Sequence, residues 1–386
     1  MNNNNSASDD SPASIGAIVT LGAVAVAGFN IQPMYLGALA DHLGLSAEQL
    51  GIIAGLEIAG GALAGIFATF WVRRWNWRHV ALVALAALAT GNLASAYVSD
   101  FALLTTLRFL TGFLGVGTNY ALAIAALSDT HHTERNYSIA VVVQVSVAII
   151  GFTILPSIIA ESGVAAVFFP LGTIAILLMP FTRFLPNGGS PDEAAQAHGV
   201  PVSRLAIWLA LGCQAVWYLG IGGVWAFVER IGVEAGIDAE GIGNALALGM
   251  AVGLAGALIA AAVADRFGRV VPFAVAMLGQ VLAVWHLAGL EDLNGLIIAI
   301  CLYNGTWNFA LPYIFAMAAL ADSRGKLVVL MSTAQAVGLT IGASMAGAVI
   351  GRYSLMAVTY QGAAAALAAL GVFAMLAAML RTVEHP

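Results

Sequence analysis

Twelve apolar stretches follow one another along the 386 residues of this chain, separated by short polar turns. A helix that crosses the hydrocarbon layer of a membrane needs roughly 20 apolar residues, and each stretch supplies about that many. Backbone in lipid must satisfy its own hydrogen bonds, which admits helices and closed barrels only. These stretches are too long and too unbroken for barrel strands. Charged residues make up 9% of the chain and apolar ones 61%, against about 25% charged in a soluble domain. The sequence therefore predicts an all-α polytopic protein with the lipid bilayer as its solvent. The spans read as residues 15–38, 48–71, 79–98, 102–127, 138–160, 164–184, 203–228, 240–263, 271–289, 294–319, 327–350 and 356–380.

The second half of the chain repeats the first. An offset of 192 pairs Gly28 with Gly220, Leu45–Gly51 with Ile237–Gly243, and Arg73 and Arg74 with Asp265 and Arg266. An offset of 193 pairs Gly112 with Gly305 and aligns Tyr120–Asp129 with Tyr313–Asp322 at six identities in ten. An offset of 191 pairs Gln144 with Gln335 and Gly151 with Gly342. Between the repeats lies a stretch rich in Pro, Gly and Ser, the composition of a linker. The expected organisation is a disordered cytoplasmic tail at 1–14, a six-helix bundle at 15–184, a cytoplasmic linker at 185–202, a second bundle at 203–380 and a tail at 381–386.

Orientation follows from the basic residues. With the amino terminus inside, the inner segments hold Arg73, Arg74, Arg78, Arg135, Arg183, Arg204, Arg266, Arg269, Arg324, Lys326 and Arg381. The outer loops hold Arg230 and Arg352, and Arg108 lies within the membrane, which accounts for all 14. The positive-inside rule places both termini in the cytoplasm, and the expected location is a bacterial inner membrane. A net charge of −6 gives no sign of nucleic-acid binding. Cys213 and Cys301 fall within apolar runs and read as small packing residues rather than a disulfide or metal framework.

Ala264-Asp-Arg-Phe-Gly-Arg269 and the Leu104-x-x-x-Arg108-x-x-x-Gly112-x-x-Gly115-x-Gly117 run carry a family likeness. The chain resembles the major facilitator superfamily over essentially its whole length, the first motif being similar to that family's loop signature and the second to its helix 4 motif. The resemblance implies two pseudo-symmetric six-helix bundles around a site lined by spans 1, 4, 7 and 10. Two departures stand out. Arg73 replaces the signature Asp in the first half, and span 5 lacks the Gly-Pro pair of the family's drug antiporters. Asp265, Arg266, Gly268 and Arg269 read either as a conformational gate, in which the carboxylate pairs with an arginine or a helix start, or as a turn with topology-setting arginines. Gly268 makes the turn on both readings.

Glu57 and Arg108 are the charged residues well inside the expected spans. Each costs at least about 2.5 kcal/mol at the bilayer centre, which marks it as a functional candidate. Glu57 shares a helix face with Ala54, Gly61, Ala64 and Gly65, and Arg108 with Thr105, Thr111, Gly112 and Gly115, so both point inward. Three readings stay open: a static pair locking the first bundle, proton coupling, or an anchor for an anionic solute. Burial favours a protonated carboxylate and a guanidinium favours an ionised one.

Candidate solute contacts are Asn30, Gln32 and Tyr35 on span 1, Arg108 on span 4, Gln144 on span 5, Gln214, Trp217 and Tyr218 on span 7, with Trp225 beyond them, Asn304, Trp307 and Asn308 on span 10, and Gln335 on span 11. Aromatic walls with a few amides suit a small, partly apolar organic molecule. Packing or interfacial anchoring is the alternative for any one aromatic residue, and helix bridging for the two matched glutamines. The expected function is secondary active transport of a small organic solute coupled to protons, with an organic anion as the leading guess. Export of hydrophobic compounds and a transporter-like receptor without flux are the alternatives. No GxxxxGK[ST] loop implies ATP as energy source, no nucleophile or metal constellation implies an enzyme, and no cofactor or metal is expected. A monomer with solute, protons and lipid as partners completes the reading.

Overall fold

The structure, a computed structural model, describes residues 11–188, 204–321 and 326–384. Span 1 is two helices, α1 (Pro12–Asn30) and α2 (Gln32–Leu43). They break at Ile31, which sits at φ −97° and ψ 14°. Pro33 explains the break, because it has no N–H to give the preceding turn and its ring crowds that turn. Then come α3 (Ala47–Trp71) and α4 (Trp77–Ser95). Span 4 is α5 (Phe101–Leu110), a π-helical stretch Thr111–Gly117, and α6 (Thr118–Ser128). The first half ends with α7 (Thr133–Ser162) and α8 (Ala165–Leu178), which runs into a 3-10 segment Met179–Phe184. The second half is α9 (Arg204–Glu234), α10 (Ala239–Val263), α11 (Val270–Ala288), α12 (Leu293–Ala321), α13 (Lys326–Arg352) and α14 (Ala357–Glu384).

Among the described residues these elements group into twelve rods in the expected order, of which ten are long and apolar enough to cross a membrane on length and composition alone. The two others are α4, which begins on Trp77-Arg78-His79, and α12, which carries Asn304, Trp307 and Asn308 at its middle. Several ends move outward from the expected spans. Residues 12–14, expected in the tail, form the first turn of α1, where the Ser14 N–H donates to Ser11 Oγ at 3.2 Å. The α2 helix runs on to Gly44, whose φ of 65° is the left-handed stop a side chain disfavours. Gly236 repeats that stop with φ 76°, 192 residues later. Of the expected tails, the linker and the turn before α13, residues 1–10, 189–203, 322–325 and 385–386 lie outside the described residues. The start of the linker is fixed to the first half: Arg78 Nε donates to the Leu185 carbonyl at 2.6 Å, and the Trp77 N–H to that of Asn187 at 3.1 Å.

Outward faces are apolar, as lipid requires: Phe70, Val83, Leu258 and Leu282 are all exposed. Large aromatic residues mark the two ends of the bundle, with Trp75 and Trp208 at one and Tyr97, Trp285 and Tyr353 at the other. Within the first half, α3 meets span 4 backbone to backbone. A Cβ at Gly60 would collide with the Phe109 carbonyl, and one at Gly112 with that of Glu57. This close crossing sets Glu57 against Arg108.

The described hydrogen bonds and closest backbone contacts between the halves gather at one end, around the 44–46 and 235–238 turns. There α2 packs on α9, α3 on α13, and α7 on α10. A Cβ at Gly51 would lie 2.5 Å from the Ala343 carbonyl, and one at Gly243 would collide with the Phe152 carbonyl. Ser344 Oγ donates to the Gly51 carbonyl at 3.3 Å. Gly51 and Gly243 are repeat partners, so the seam is built twice by the same residue of the repeat.

Candidate transport site

The first cluster is a charge pair inside the first half. Arg108 NH1 lies 3.4 Å from Glu57 Oε1 and donates to Asn92 Oδ1 at 3.0 Å, while NH2 donates to Thr111 Oγ1 at 3.0 Å. The guanidinium carbon lies 4.8 Å from the centre of the Phe168 ring. Tyr35 donates its hydroxyl to Glu57 Oε2 at 2.7 Å, and the Gln32 amide reaches Tyr35 at a long 3.5 Å. Arg108 is 1% exposed and Glu57 8%. The sequence brings these residues together through three features. The glycine crossing seats α3 on span 4, the π-helical stretch begins three residues after Arg108, and the Pro33 break turns α2 so that Tyr35 reaches α3. Span 3 contributes Asn92 and span 6 Phe168, neither of which the sequence reading singled out. A lone Asn in an otherwise apolar run was the available signal for Asn92.

Two atoms of this cluster have no hydrogen-bond partner among the described residues, Arg108 Nε and Gln32 Oε1. NH1 and NH2 of Arg108 both bond within its own half, to Glu57, Asn92 and Thr111, so it is not an open anchor in this arrangement.

The second cluster belongs to α9, α12 and α13. Trp307 Nε1 donates to the Tyr218 hydroxyl at 3.0 Å, with ring centres 6.0 Å apart and edge to face. Trp225 continues the wall, 6.2 Å from Trp307 and 6.0 Å from Phe152 of α7. Gln214, one turn before Tyr218, reaches Gln335 at 3.4 Å and keeps its own Oε1 unpartnered. Trp307, Asn308 and Gln335 are half-buried, whereas Tyr218 and Trp225 are fully buried. Asn304 and Asn308 donate to carbonyls one turn back on their own helix, at 3.2 and 3.0 Å.

Other candidates stand apart. Trp217 turns into the second half, where its Nε1 donates to Gln280 Oε1 at 2.8 Å and its ring meets Phe273. Asn30 and Gln144 are half-buried, with no side-chain hydrogen bond among the described residues. Asp265, Arg266 and Gly268 are exposed and Arg269 half-buried; the Asp265 carboxylate has no hydrogen bond or ion pair among the described residues. The turn itself is formed by the Gly268 N–H donating to the Asp265 carbonyl at 2.8 Å, with Gly268 at φ 66°. In the first half the equivalent position, Arg73, pairs instead with Asp129 at 2.5 Å.

Two contacts across the seam escaped the sequence reading. Arg230 bonds Asp41 at 2.6 and 3.0 Å, and Trp225 of span 7 donates its Nε1 N–H to the Phe29 carbonyl at 3.2 Å. Arg230 had been counted as an outer-loop charge. Its partner lies 189 residues away, and nothing local announces such a contact.

Two halves of like build, meeting at one end and carrying a buried charge pair and an aromatic wall, define a membrane transporter. The chain belongs to the major facilitator superfamily, whose sequence profile matches residues 17–322. Solved structures agree at the level of the fold. A point mutant of the nucleoside transporter NupG superposes with a TM-score of 0.76 at 13% identity, covering 94% of this chain and 99% of that one. A D-xylose-proton symporter gives 0.72 at 15%, covering 93% and 95%. A bacterial homologue of the human lysosomal transporter Spinster, inward-facing and unoccupied, gives 0.66 at 14%, covering 96% and 97%. A search of curated protein sequences finds no match. The family and these neighbours are transporters, not enzymes.

Proposed function

We propose that this protein is a monomeric, proton-coupled secondary transporter that moves a small organic solute by alternating access, with residues 15–184 and 203–380 as the two moving bundles. The observation that carries the reading is the seam. The described close contacts between the bundles lie at one end, where glycines let the backbones meet, Arg230 bonds Asp41, and Phe152 packs on Trp225. Two like bundles rocking about a midplane site give two equivalent open states. Glu57 is the coupling carboxylate in this reading and Arg108 the partner that holds it ionised. When Arg108 turns toward an arriving solute, the buried carboxylate loses its cation and takes up a proton. Arg108 supplies the fork for a carboxylate on that solute, and Trp307, Asn308 and Gln335 supply its flat and amide-lined wall. The basic residues support an orientation with both termini in the cytoplasm of a bacterial inner membrane.

The test begins with purified protein and a metabolite library, since a ligand of the folded state raises apparent stability by mass action. With a solute in hand, Glu57→Gln in proteoliposomes should lose uphill accumulation driven by a pH gradient and keep counterflow exchange. Unchanged uphill transport would reduce Glu57 to a structural role. A library without any stabilising ligand, together with no flux, would favour a receptor.

A further inference from the structure

Arg230 serves two carboxylates at once. Across the seam its NH1 and NH2 donate to Asp41 Oδ1 and Oδ2 at 2.6 and 3.0 Å. On its own helix, Nε and NH2 donate to Glu229 Oε2 and Oε1 at 2.5 and 2.6 Å. One positive charge therefore faces two negative ones. The carboxylates differ in surroundings, the Asp41 side chain being 57% exposed and that of Glu229 8%. Glu229 lies directly over Gly37 of α2, where a Cβ would fall within 2.6 Å of its carboxylate. The first half is thus the cover over Glu229, and the missing side chain at position 37 makes the room.

The charges acting on Glu229 are Arg230 of its own helix and Asp41 of α2. The next titratable residue of α2, His42, turns to the Gly163 turn instead, 3.1 Å from where a Cβ would stand. The remaining charges at this end are Glu48 of α3, Asp100 before α5, Glu161 of α7, Glu234 of α9, Asp238 and Glu240 at the start of α10, Glu291 and Asp292 before α12 and Arg352 of α13, all exposed.

We propose that Glu229 is a second proton-binding site, separate from Glu57, which holds a proton while the halves are closed at this end and releases it when they part. One proton on Glu229 brings the Asp41–Arg230–Glu229 group to neutrality while it is covered. When α2 withdraws, water solvates the Glu229 carboxylate and Arg230 no longer has Asp41 to serve, so the O–H bond breaks and the proton passes to the solution on that side. A group that binds a proton in one state and not in the other makes the ratio of states depend on pH. Acid on this side therefore favours closure. The inference rests on the alternating-access reading.

The test places spin labels at Glu161→Cys in the first half and Asp238→Cys in the second, in a Cys213→Ala/Cys301→Ala background reconstituted in lipid nanodiscs. Distances are read from mildly acidic to mildly alkaline pH. The parent should show a near and a far population whose ratio changes by up to about tenfold per pH unit, the limit for one proton. Glu229→Gln should stay near at every pH. Asp41→Asn should also lose the dependence but with more of the far population, because Arg230 and Glu229 then balance without a bond across the seam. Glu57→Gln should keep the dependence. Two populations whose ratio ignores pH, or a dependence undiminished in Glu229→Gln, would overturn the Glu229 proposal alone. A single population in the parent and all variants would overturn alternating access with it.

Discussion

Trp225 of the second half donates its indole N–H to the Phe29 carbonyl of the first at 3.2 Å, and Pro33 is the reason that carbonyl lacks its helical partner. In an uninterrupted helix the residue-33 N–H would bond the residue-29 carbonyl, and proline has none. The break in span 1 thus creates an acceptor that the opposite half fills.

Trp225→Phe keeps an aromatic ring beside Phe152 and Trp307 and removes this one bond. A net hydrogen bond contributes about 1 kcal/mol, so the ratio of closed to open forms at this end should fall by roughly fivefold. Label distances across the seam measure it. No change would mean that the bond follows closure without stabilising it.

The glycine seams make a second prediction, with an internal contrast. Gly51→Val and Gly243→Val place side chains against backbone of the opposite half, so both should disfavour closure while each half keeps its own packing. Gly60→Val instead meets the Phe109 carbonyl within the first half and should lower the unfolding temperature. Thermal unfolding read beside seam distances separates these outcomes. A large loss of stability in Gly51→Val would show that the seam is part of the folded core.

Arg108→Ala leaves Glu57 buried without its cation. Removing one member of a buried ion pair costs about 3–5 kcal/mol, and a marked drop in unfolding temperature is expected. Glu57→Gln/Arg108→Gln removes both charges and should recover much of that loss. Solute affinity gives the functional arm: Arg108→Lys should weaken binding, and Arg108→Ala should abolish it. Wild-type affinity in Arg108→Ala would assign Arg108 to the structural pair alone.

The legible part of the molecule is the part written in periodicity and repetition. Apolar run length gave the rods and their order, the 192-residue offset found the turn that recurs as Gly44 and Gly236, and inward-facing small residues brought Glu57 and Arg108 to neighbouring helices. What escaped depends on contacts between distant elements or on local backbone departures. Asp41 and Arg230 look like solvated end charges until the halves are docked. The π-helical stretch at Thr111–Gly117 leaves no trace in an apolar run rich in glycine. Trp217 sits one residue from Tyr218, yet the hundred-degree step between neighbours on a helix sends it to Gln280 rather than Trp307.

That step underlies the last prediction. Tyr218 and Trp307 share a hydrogen bond at 3.0 Å, and Trp307, unlike Tyr218, is half-buried. A solute that stacks on the wall therefore meets Trp307 directly and Tyr218 through it. Trp307→Ala removes the ring and should weaken solute binding by roughly two- to tenfold, on the scale of about 0.5–1.5 kcal/mol for an aromatic contact. Tyr218→Phe removes only the acceptor that holds the indole, so it should weaken binding less while loosening the Trp307 ring. Trp217→Phe breaks the bond to Gln280 inside the second half and should lower stability while leaving affinity unchanged. Titration of the ligand found by thermal shift, run on the three variants, orders them. If Trp217→Phe costs more affinity than Trp307→Ala, the solute wall lies on the opposite face of α9 from the one proposed.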